Sequence, residues 1–340
     1  MSELRRDPIV GRWVIINPEQ TEIEKEFFEA IEAFQTDPST CPFCEGHEHL
    51  TSSEILAYRP PNTYSNKPGW WIRVLPHHSA VLHIEGNLKR QGVGMFDMMS
   101  GIGAHEIIVE TPEHDKTFIE LSDNQVEKII WAYRDRIIDL HKDDRFRHIL
   151  IFKNHGPHSG AQLSHSHSQL IASPVIPKTV KEELDGAKAH YNYKERCIYC
   201  DIIRQEISMK ERMIEENEHF AVFTPFAARY PYEISIMPKE HNCHFSRITK
   251  EEVMDLSKIM KSVLWRLHKR LNGPSYSYIL HTAPNQIPKE ALWDTLEFDY
   301  HWHIEIIPRL LKQIDLEWGP GFYVNPTPPE KAAAFLKEIN

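Results

Sequence analysis

The stretch Cys41-Pro42-Phe43-Cys44 opens a series of motifs that the chain carries twice. In the first copy, Val109-Glu110-Thr111-Pro112-Glu113-His114 and then His165-Ser166-His167 follow it. The second copy begins at Cys197-Ile198-Tyr199-Cys200 and continues with Ile236-Met237-Pro238-Lys239-Glu240-His241 and His301-Trp302-His303. Internal repetition of this kind indicates that one structural unit occurs more than once. We therefore predict two similar domains in tandem, residues 1–177 and residues 178–340.

Each copy also shows the same order of helix and strand. Ser122 and Thr249 begin S-x-x-Q and T-x-x-E patterns, which are typical of capping boxes, and each precedes a long amphipathic segment. A strand rich in sheet-forming residues follows each predicted helix. The predicted strands are 70–75, 105–110, 148–152, 221–224, 233–237 and 276–280, and further helices are predicted at 178–195 and 329–339. We expect an α+β fold in which each domain is an antiparallel sheet with helices packed on it.

Size and charge exclude several classes of protein. The 340 residues are enough for a sizeable packed core. With 39 basic and 49 acidic side chains the net charge is -10, which argues against sequence-independent binding of nucleic acid. No apolar run approaches the roughly 20 residues of a membrane span, and no apolar signal region follows the first charges. We expect a cytoplasmic protein that binds neither nucleic acid nor a membrane.

The cysteines indicate metal sites. Four of the five form two Cys-x-x-Cys pairs, and without a secretion signal such pairs favour metal ligation over disulfides. Two thiolates and two imidazoles can surround zinc tetrahedrally in a closed structural site. The predicted ligands are Cys41, Cys44, His114 and His165 for one zinc ion and Cys197, Cys200, His241 and His301 for a second. The alternative is a pair of buried, reduced cysteines with ordinary surface histidines nearby.

If His165 binds zinc, the second histidine of the motif remains free for chemistry. Alternate residues of a strand share a face, so a metal on His165 would fix the backbone that aims His167. A neutral imidazole held on a rigid strand is a competent nucleophile near neutral pH. The alternative is that His167 is an ordinary histidine beside a metal ligand.

Together these motifs resemble the galactose-1-phosphate uridylyltransferase family of the histidine triad superfamily, over nearly the whole chain. The matching stretches are 5–14, the first Cys-x-x-Cys pair, 152–156, His165-Ser166-His167-Ser168-Gln169, 301–305 and 321–326. The resemblance implies that both domains have a histidine-triad-like fold.

The resemblance also implies a ping-pong reaction. His167 would attack the α-phosphorus of a nucleotide sugar, and an acceptor phosphate would then collect the nucleotide from the nucleotidyl-histidine. Gln169 matches a glutamine that donates to a phosphate oxygen, and Asn154 matches a family asparagine. Ser159 and Gly160 are small residues where backbone N–H groups can approach phosphate. The implied substrates are UDP-glucose and galactose 1-phosphate, and the implied assembly is a homodimer.

Several positions depart from the family pattern. Residues 18–26 are acidic where the family has phosphate-binding arginines. Either Arg59 or Arg73 takes that role, or the substrate presents its charge elsewhere and the sugar differs from that of the family. His77 stands where the family has a nucleoside-contacting asparagine and can still bond a ribose. The tail residues that match hexose-phosphate contacts are Lys312, Glu317, Tyr323 and Asn325, for which a surface turn is the alternative. In the second copy Glu305 replaces the glutamine, which predicts that only the first half transfers phosphate.

The second metal site leaves two ligand sets open. One subgroup of the family binds a metal through a glutamate and three histidines, which correspond to Glu183, His281, His301 and His303. The second cysteine pair instead resembles a plant-type subgroup that acts as an ADP-glucose phosphorylase. Both sets use His301, and we favour the cysteine set because thiolates outcompete carboxylates for zinc. ADP-glucose phosphorylase is therefore the alternative function, followed by a nucleotide hydrolase or a zinc-stabilised binding module without turnover.

Overall fold

A computed structural model describes residues 1–19, 34–285, 293–310 and 321–338. The described strands are β1 (Glu3–Arg6), β2 (Trp13–Ile16), β3 (Leu56–Tyr58), β4 (Ile72–Pro76), β5 (Gln91–Val93), β6 (Phe96–Met98), β7 (Ala104–Val109), β8 (His148–His155), β9 (His167–Ser173), β10 (Met213–Glu216), β11 (Phe220–Phe223), β12 (Ile234–Pro238), β13 (Tyr276–His281), β14 (His303–Pro308) and β15 (Tyr323–Asn325). The described α-helices are α1 (Asp123–Leu140), α2 (Lys178–Lys194), α3 (Ile198–Met209), α4 (Lys250–Arg270), α5 (Leu296–Asp299) and α6 (Pro329–Lys337).

Ten strands form one continuous antiparallel sheet in the order β10-β11-β12-β14-β13-β8-β9-β7-β4-β3. Each half of the chain contributes five neighbouring strands, and the two halves meet where β8 pairs with β13. The α+β fold with repeated antiparallel sheets is confirmed, but the two sheets are halves of a single one. The predicted boundary between residues 177 and 178 falls at the start of α2 and stays a prediction.

One face of this sheet is covered by the two long helices. The apolar stripes of α1 and α4 are buried against it in one cluster that includes strands of both halves. All the residues that the helical period places on those stripes are buried: Val126, Ile129, Ile130, Tyr133, Ile137, Leu140, Val253, Leu256, Met260, Val263, Leu264 and Leu267. Because this core is shared, removing it would expose apolar surface of both halves.

The two predicted capping boxes differ. Thr249 forms the complete box at the start of α4, since Glu252 bonds back to its backbone N–H at 2.7 Å. At α1, Ser122 accepts the Gln125 N–H, but the reciprocal bond that we expected is not formed. The Gln125 amide instead donates to the carbonyl oxygens of Trp71 and Glu110, both at 2.7 Å. At α1, two hydrogen bonds from the helix to the segments beside β4 and β7 therefore replace the reciprocal bond of the capping box.

The opposite face of the sheet carries α2, α3 and the two cysteine pairs. A small sheet of β1, β2 and β15 lies apart from the main sheet in the strand pairing. Its N-terminal segment passes close to α2, because a Cβ on Gly186 would lie 1.9 Å from the carbonyl oxygen of Ile9. In the described part of the chain, no helix has the length and apolar character needed to cross a membrane.

Candidate active site

The first cysteine pair lies with two histidines in one cluster. The ligand atoms of Cys41, Cys44, His114 and His165 all lie within 4.8 Å of one another. The Nδ1 atoms face sulfur, with His114 at 3.2 Å from Cys44 Sγ and His165 at 3.6 Å from both sulfurs. Each Nε2–H donates to a backbone carbonyl, that of Thr36 or of Thr111. Such outward bonds hold imidazoles in the tautomer that a metal requires, so this cluster can hold a metal ion.

The second half repeats this arrangement. Cys197, Cys200, His241 and His301 also gather within 4.8 Å. The Nδ1 atoms of His241 and His301 lie 3.5 and 3.7 Å from Cys200 Sγ. Their Nε2–H groups donate to the carbonyl oxygens of Glu297 and Pro238. The ligand order predicted from the sequence is therefore reproduced in space in both halves.

The competing ligand set does not need His301. Glu183, His281 and His303 form a separate cluster within 4.8 Å, in which Glu183 accepts from His281 at 3.2 Å and the rings of His281 and His303 stack at 4.6 Å. The expectation that the two sets compete for His301 is therefore wrong. His301 faces the cysteines, while His303, two residues on, faces the carboxylate.

His167 is held as a neutral nucleophile would be. It is the first residue of β9, and its Nδ1–H donates to the carbonyl oxygen of His165 at 2.7 Å. The lone pair is thereby left on Nε2. Burial, which disfavours the imidazolium, lowers the pKa of His167, and the charge of Lys153 adds to this effect. His165 lies before the strand, so it is the bond to the His165 carbonyl that links the cysteine–histidine cluster to His167.

A buried ion pair lies directly behind this backbone. Lys153 donates to Glu110 at 2.6 Å, to Ser166 Oγ at 3.0 Å and to the carbonyl oxygen of His167 at 3.0 Å. Ser166 in turn donates to Glu110 at 2.7 Å. Burial lowers the pKa of Lys153, whereas the pKa of Glu110 is lowered because Lys153 and Ser166 outweigh its burial. The network fixes the turn that presents His167.

Two further predicted site residues are brought to His167. Asn154 lines the same cavity and accepts from Ser277 Oγ at 2.9 Å. Gln169 lies two residues along β9 on the same face. At the cavity wall Gly156 has φ +82°, and a Cβ there would meet Ser275 Oγ at 2.4 Å. Only glycine lets the loop after β8 pass Ser275 this closely.

His77 also lies near His167, which is among the groups that lower the pKa of His77. That pKa falls to about 4, first because of burial and then because of neighbouring histidines. Ser159 ends a short 3₁₀ turn, Pro157–Ser159, and donates to the Gly156 carbonyl at 2.7 Å. Gly160 follows it with φ +84°. Ser159 and Gly160 therefore lie in the loop between β8 and β9, as the sequence predicts.

Other predicted residues are engaged elsewhere. Arg59 and Arg73 both pair with Glu54, and neither is among the described residues that line the cavity at His167. Tyr323 and Asn325 lie in β15, where the Asn325 amide donates to the carbonyl oxygens of Ala228 and Tyr230. The last two predicted tail residues, Lys312 and Glu317, and most of the acidic stretch 18–26 lie outside the described residues.

Sequence reasoning gave no role to Lys153, Glu110 or His105. Glu110 lies in a motif that repeats, and Lys153 lies in a stretch that matches the family. For Lys153, the available signal was a charged side chain at the end of a strand of sheet-forming residues. His105 gave no such signal, because its contact with Gln169 at 3.0 Å joins strands 64 residues apart.

The sister half has the geometry of the first but a different charge. His303 Nδ1–H donates to the carbonyl oxygen of His301 at 3.0 Å, as His167 does to His165. Glu305 stands in the position of Gln169 and pairs with Arg229 at 2.6 Å. A carboxylate there repels phosphate, so the two halves are chemically unequal.

Two family models match the chain. The model described as galactose-1-phosphate uridyl transferase, N-terminal domain, matches residues 1–177. The model described as the C-terminal domain of the same enzyme matches residues 151–317. Together they cover both halves of the repeat.

Individual relatives agree with these models. A protein named ADP-glucose phosphorylase from Arabidopsis thaliana is 34% identical over 341 residues, 99% of this chain and 93% of the relative. The galactose-1-phosphate uridylyltransferase of Thermotoga maritima is 28% identical over 344 residues, 99% of this chain and 98% of the relative.

Solved structures share the whole fold. The crystal structure of an ADP-glucose phosphorylase from Arabidopsis thaliana with bound ADP-glucose gives a TM-score of 0.84 at 32% identity, covering 100% of this chain and 99% of that chain. A structure described as uridylyltransferase gives 0.75 at 27% identity, covering 99% and 97%. The chain belongs to the galactose-1-phosphate uridyl transferase family and is a nucleotidyltransferase.

Proposed function

We propose that this chain moves a nucleoside monophosphate from a nucleotide sugar to a phosphate-bearing acceptor by way of a covalent bond to His167. The observation that carries the proposal is the state of His167: its Nδ1–H is used by the His165 carbonyl, so Nε2 has a free lone pair. The ring is buried beside a cavity that Asn154 also lines.

The first step forms one bond and breaks one. His167 Nε2 attacks the α-phosphorus, a P–N bond forms, and the P–O bond to the β-phosphate breaks. The leaving group departs as hexose 1-phosphate. In the second step an acceptor phosphate oxygen attacks the same phosphorus, and the P–N bond breaks. The lone pair then returns to Nε2, and the enzyme regains its starting state.

The neighbouring side chains act on charge and position. The amide of Gln169 donates to a non-bridging phosphate oxygen, where negative charge changes during transfer. Asn154, fixed by Ser277 at 2.9 Å, offers its amide N–H groups to the cavity. Lys153 does not reach the substrate in this scheme, because its three bonds hold the backbone around His167. It is a positioning residue.

The first candidate pair of substrates is UDP-glucose and galactose 1-phosphate. Its support is the description of both family models and the uridylyltransferase relative of 28% identity. Arg59 and Arg73 contribute no phosphate contact in this proposal, since both are bound to Glu54.

The second candidate is phosphorolysis of ADP-glucose, in which inorganic phosphate is the acceptor and ADP is the product. The observation that favours it is the higher similarity to the ADP-glucose phosphorylase, 34% identity and a TM-score of 0.84. The same histidine chemistry serves both reactions, so only the base and the acceptor differ.

A product assay decides between the two candidates. The protein is incubated with UDP-glucose plus galactose 1-phosphate, and separately with ADP-glucose plus inorganic phosphate. UDP-galactose as the product supports the first candidate, and ADP with glucose 1-phosphate supports the second. Crossed pairs, UDP-glucose with phosphate and ADP-glucose with galactose 1-phosphate, separate the choice of base from the choice of acceptor. No product from any pair would contradict both.

We propose zinc for the two cysteine clusters. Zinc bonded to sulfur at about 2.3 Å and to nitrogen at about 2.0 Å would separate those atoms by roughly 3.5 Å in tetrahedral geometry, and the observed S···N distances run from 3.2 to 3.7 Å. The metal would supply a closed, structural link and no reactive position. A homodimer, in which the partner supplies hexose-phosphate contacts, stays a prediction from the resemblance.

A further inference from the structure

His105 stands beside Gln169 without a part in the scheme above. It lies in β7, two residues before Ile107, which pairs directly with Gln169 in β9. Side chains two residues apart share a face of the sheet, so His105 and Gln169 are diagonal neighbours. Only 8% of the His105 surface is exposed, and its Nε2 lies 3.0 Å from Gln169 Oε1.

The hydrogen bonds define the tautomer of His105. The backbone N–H of Val81 donates to its Nδ1 at 3.3 Å, so Nδ1 is the acceptor. A neutral imidazole has one acceptor and one donor, and therefore Nε2 carries the proton. That proton faces Gln169, whose carbonyl oxygen is the only amide atom that can accept it. The direction of this bond fixes which way the glutamine amide points.

The ring of His105 is also locked in place. His77 stacks on it with centroids 4.0 Å apart and the planes within 8°. The His77 ring is held in turn, because its Nδ1 accepts the backbone N–H of Ser79 at 3.0 Å. The backbone N–H of His77 donates to the His105 carbonyl at 2.8 Å. Neither ring can rotate without breaking these contacts.

An amide that is free to turn would present either its oxygen or its NH₂ group to the substrate. The oxygen would repel an anionic phosphate, whereas the NH₂ group stabilises it. With Oε1 bound to His105, the NH₂ group has no partner among the described residues. We propose that His105, backed by His77, is a positioning residue that holds Gln169 with its NH₂ group toward the transferred phosphate.

The sister half supports this pairing by contrast. Glu305 replaces Gln169 there, and Ser235 of β12 lies opposite it in the strand register. Two residues before Ser235, in the place of His105, stands Glu233. The two carboxylates are joined by Arg229, at 2.5 and 2.6 Å. Each half therefore has a partner matched to its own side chain: a neutral N–H donor for the amide and a cation for the carboxylate.

The proposal rests on the proposed function, so its test begins with the wild-type protein. Single-turnover formation of the nucleotidyl-enzyme is measured with UDP-glucose and with ADP-glucose, and the better donor is used afterwards. No adduct in the wild type would contradict the proposed function itself. If the adduct forms, every later result bears on His105 alone.

Two His105 variants then separate the N–H donor from the ring. His105→Phe keeps a flat ring against His77 but removes the donor, and His105→Gln restores an N–H group that can reach Gln169. For His105→Phe we expect the single-turnover rate at saturating donor to fall roughly 10- to 100-fold, less than the roughly 100- to 1000-fold for outright loss of one oxyanion donor, because the Gln169 amide is still present. The donor concentration at half-maximal rate should change less than about twofold, and His105→Gln should recover part of the rate.

A double variant distinguishes positioning from a general structural effect. Gln169→Leu removes the amide, so His105 has nothing left to orient. His105→Phe made in that background should cost no further rate, because coupled residues are not additive. His49→Phe, a substitution of an exposed histidine, is the matched control and should behave as wild type. An unchanged rate in His105→Phe, or a full multiplicative loss in the double variant, would overturn the proposal.

Discussion

At the scale of single residues, the proposed chemistry depends on His167 remaining neutral. An ordinary histidine has a pKa of about 6.5, and burial lowers that of His167. Protonation removes the Nε2 lone pair, so activity is lost only as the pH falls through the lowered pKa. We expect the rate of the first half-reaction to stay level from about pH 8 down to 6.5 and to decline below that. A rate that already halves at or above pH 6.5 would show that the imidazole is not shifted downward.

The Lys153–Glu110 pair provides a residue-scale test of stability. Both side chains are almost fully buried, so removing one leaves the other charge without compensation. Lys153→Met should lower the free energy of unfolding by about 3–5 kcal/mol, measured by urea denaturation. Adding Glu110→Gln to that variant should recover part of the loss.

A surface pair serves as the control. Lys116 pairs with Glu113 at 2.8 Å, but both side chains are about half exposed. Lys116→Met should change the free energy of unfolding by less than about 1 kcal/mol. Equal losses for Lys153→Met and Lys116→Met would contradict the structural role given to the buried pair.

At the scale of elements, the close approach of α2 to the N-terminal segment depends on Gly186. A Cβ there would lie 1.9 Å from the Ile9 carbonyl oxygen, and backbone cannot give way as a side chain can. Gly186→Ala should therefore destabilise the protein by about 1–3 kcal/mol, although alanine favours helices. Thermal unfolding measures this effect. Gly92→Ala, with no atom within 4 Å of its new Cβ, should leave the melting temperature nearly unchanged.

Local patterns explain which elements were predictable. The stripe from Val126 to Leu140 and the run of sheet-forming residues at 148–152 depend on near neighbours, so period and composition are sufficient. The reciprocal bond expected at Ser122 is not formed because the Gln125 amide donates to the carbonyl oxygens of Trp71, just before β4, and Glu110, just after β7. No local pattern contains such long-range contacts. The pairing of β8 with β13 could not be predicted for the same reason. It joins the edge strands of the two half-sheets, and the sequence of an edge strand is the same whether or not another strand pairs with it.

In the candidate site, too, features set by local sequence patterns could be predicted and features set by long-range contacts could not. The gathering of two cysteines and two histidines in each half could be predicted because the motif order repeats. His105 could not, because its importance comes from strand register.

At the scale of the whole molecule, a duplicated fold has become asymmetric. Both halves hold a Cys₂His₂ cluster, but only the first has an amide beside its free histidine. We predict that Cys41→Ser and Cys197→Ser each remove one zinc ion from the two expected, measured by elemental analysis. Cys41→Ser should also slow nucleotidyl transfer at least tenfold, because His165 links that cluster to His167, a cost of about 1.4 kcal/mol in the barrier.

Cys197→Ser should lower the melting temperature while retaining more of the transfer rate, since its cluster adjoins His303. The two variants thus control for each other. Equal loss of transfer in both would contradict the division of labour between the halves.

The central claim is that His167 carries the nucleotide, and intact-protein mass spectrometry tests it most directly. After mixing with UDP-glucose or ADP-glucose alone, the mass should rise by one nucleotidyl group as glucose 1-phosphate is released. His167→Gly should gain nothing, and His303→Gln should still gain the group. An unmodified wild type with both donors, or an adduct that persists in His167→Gly, would contradict the claim.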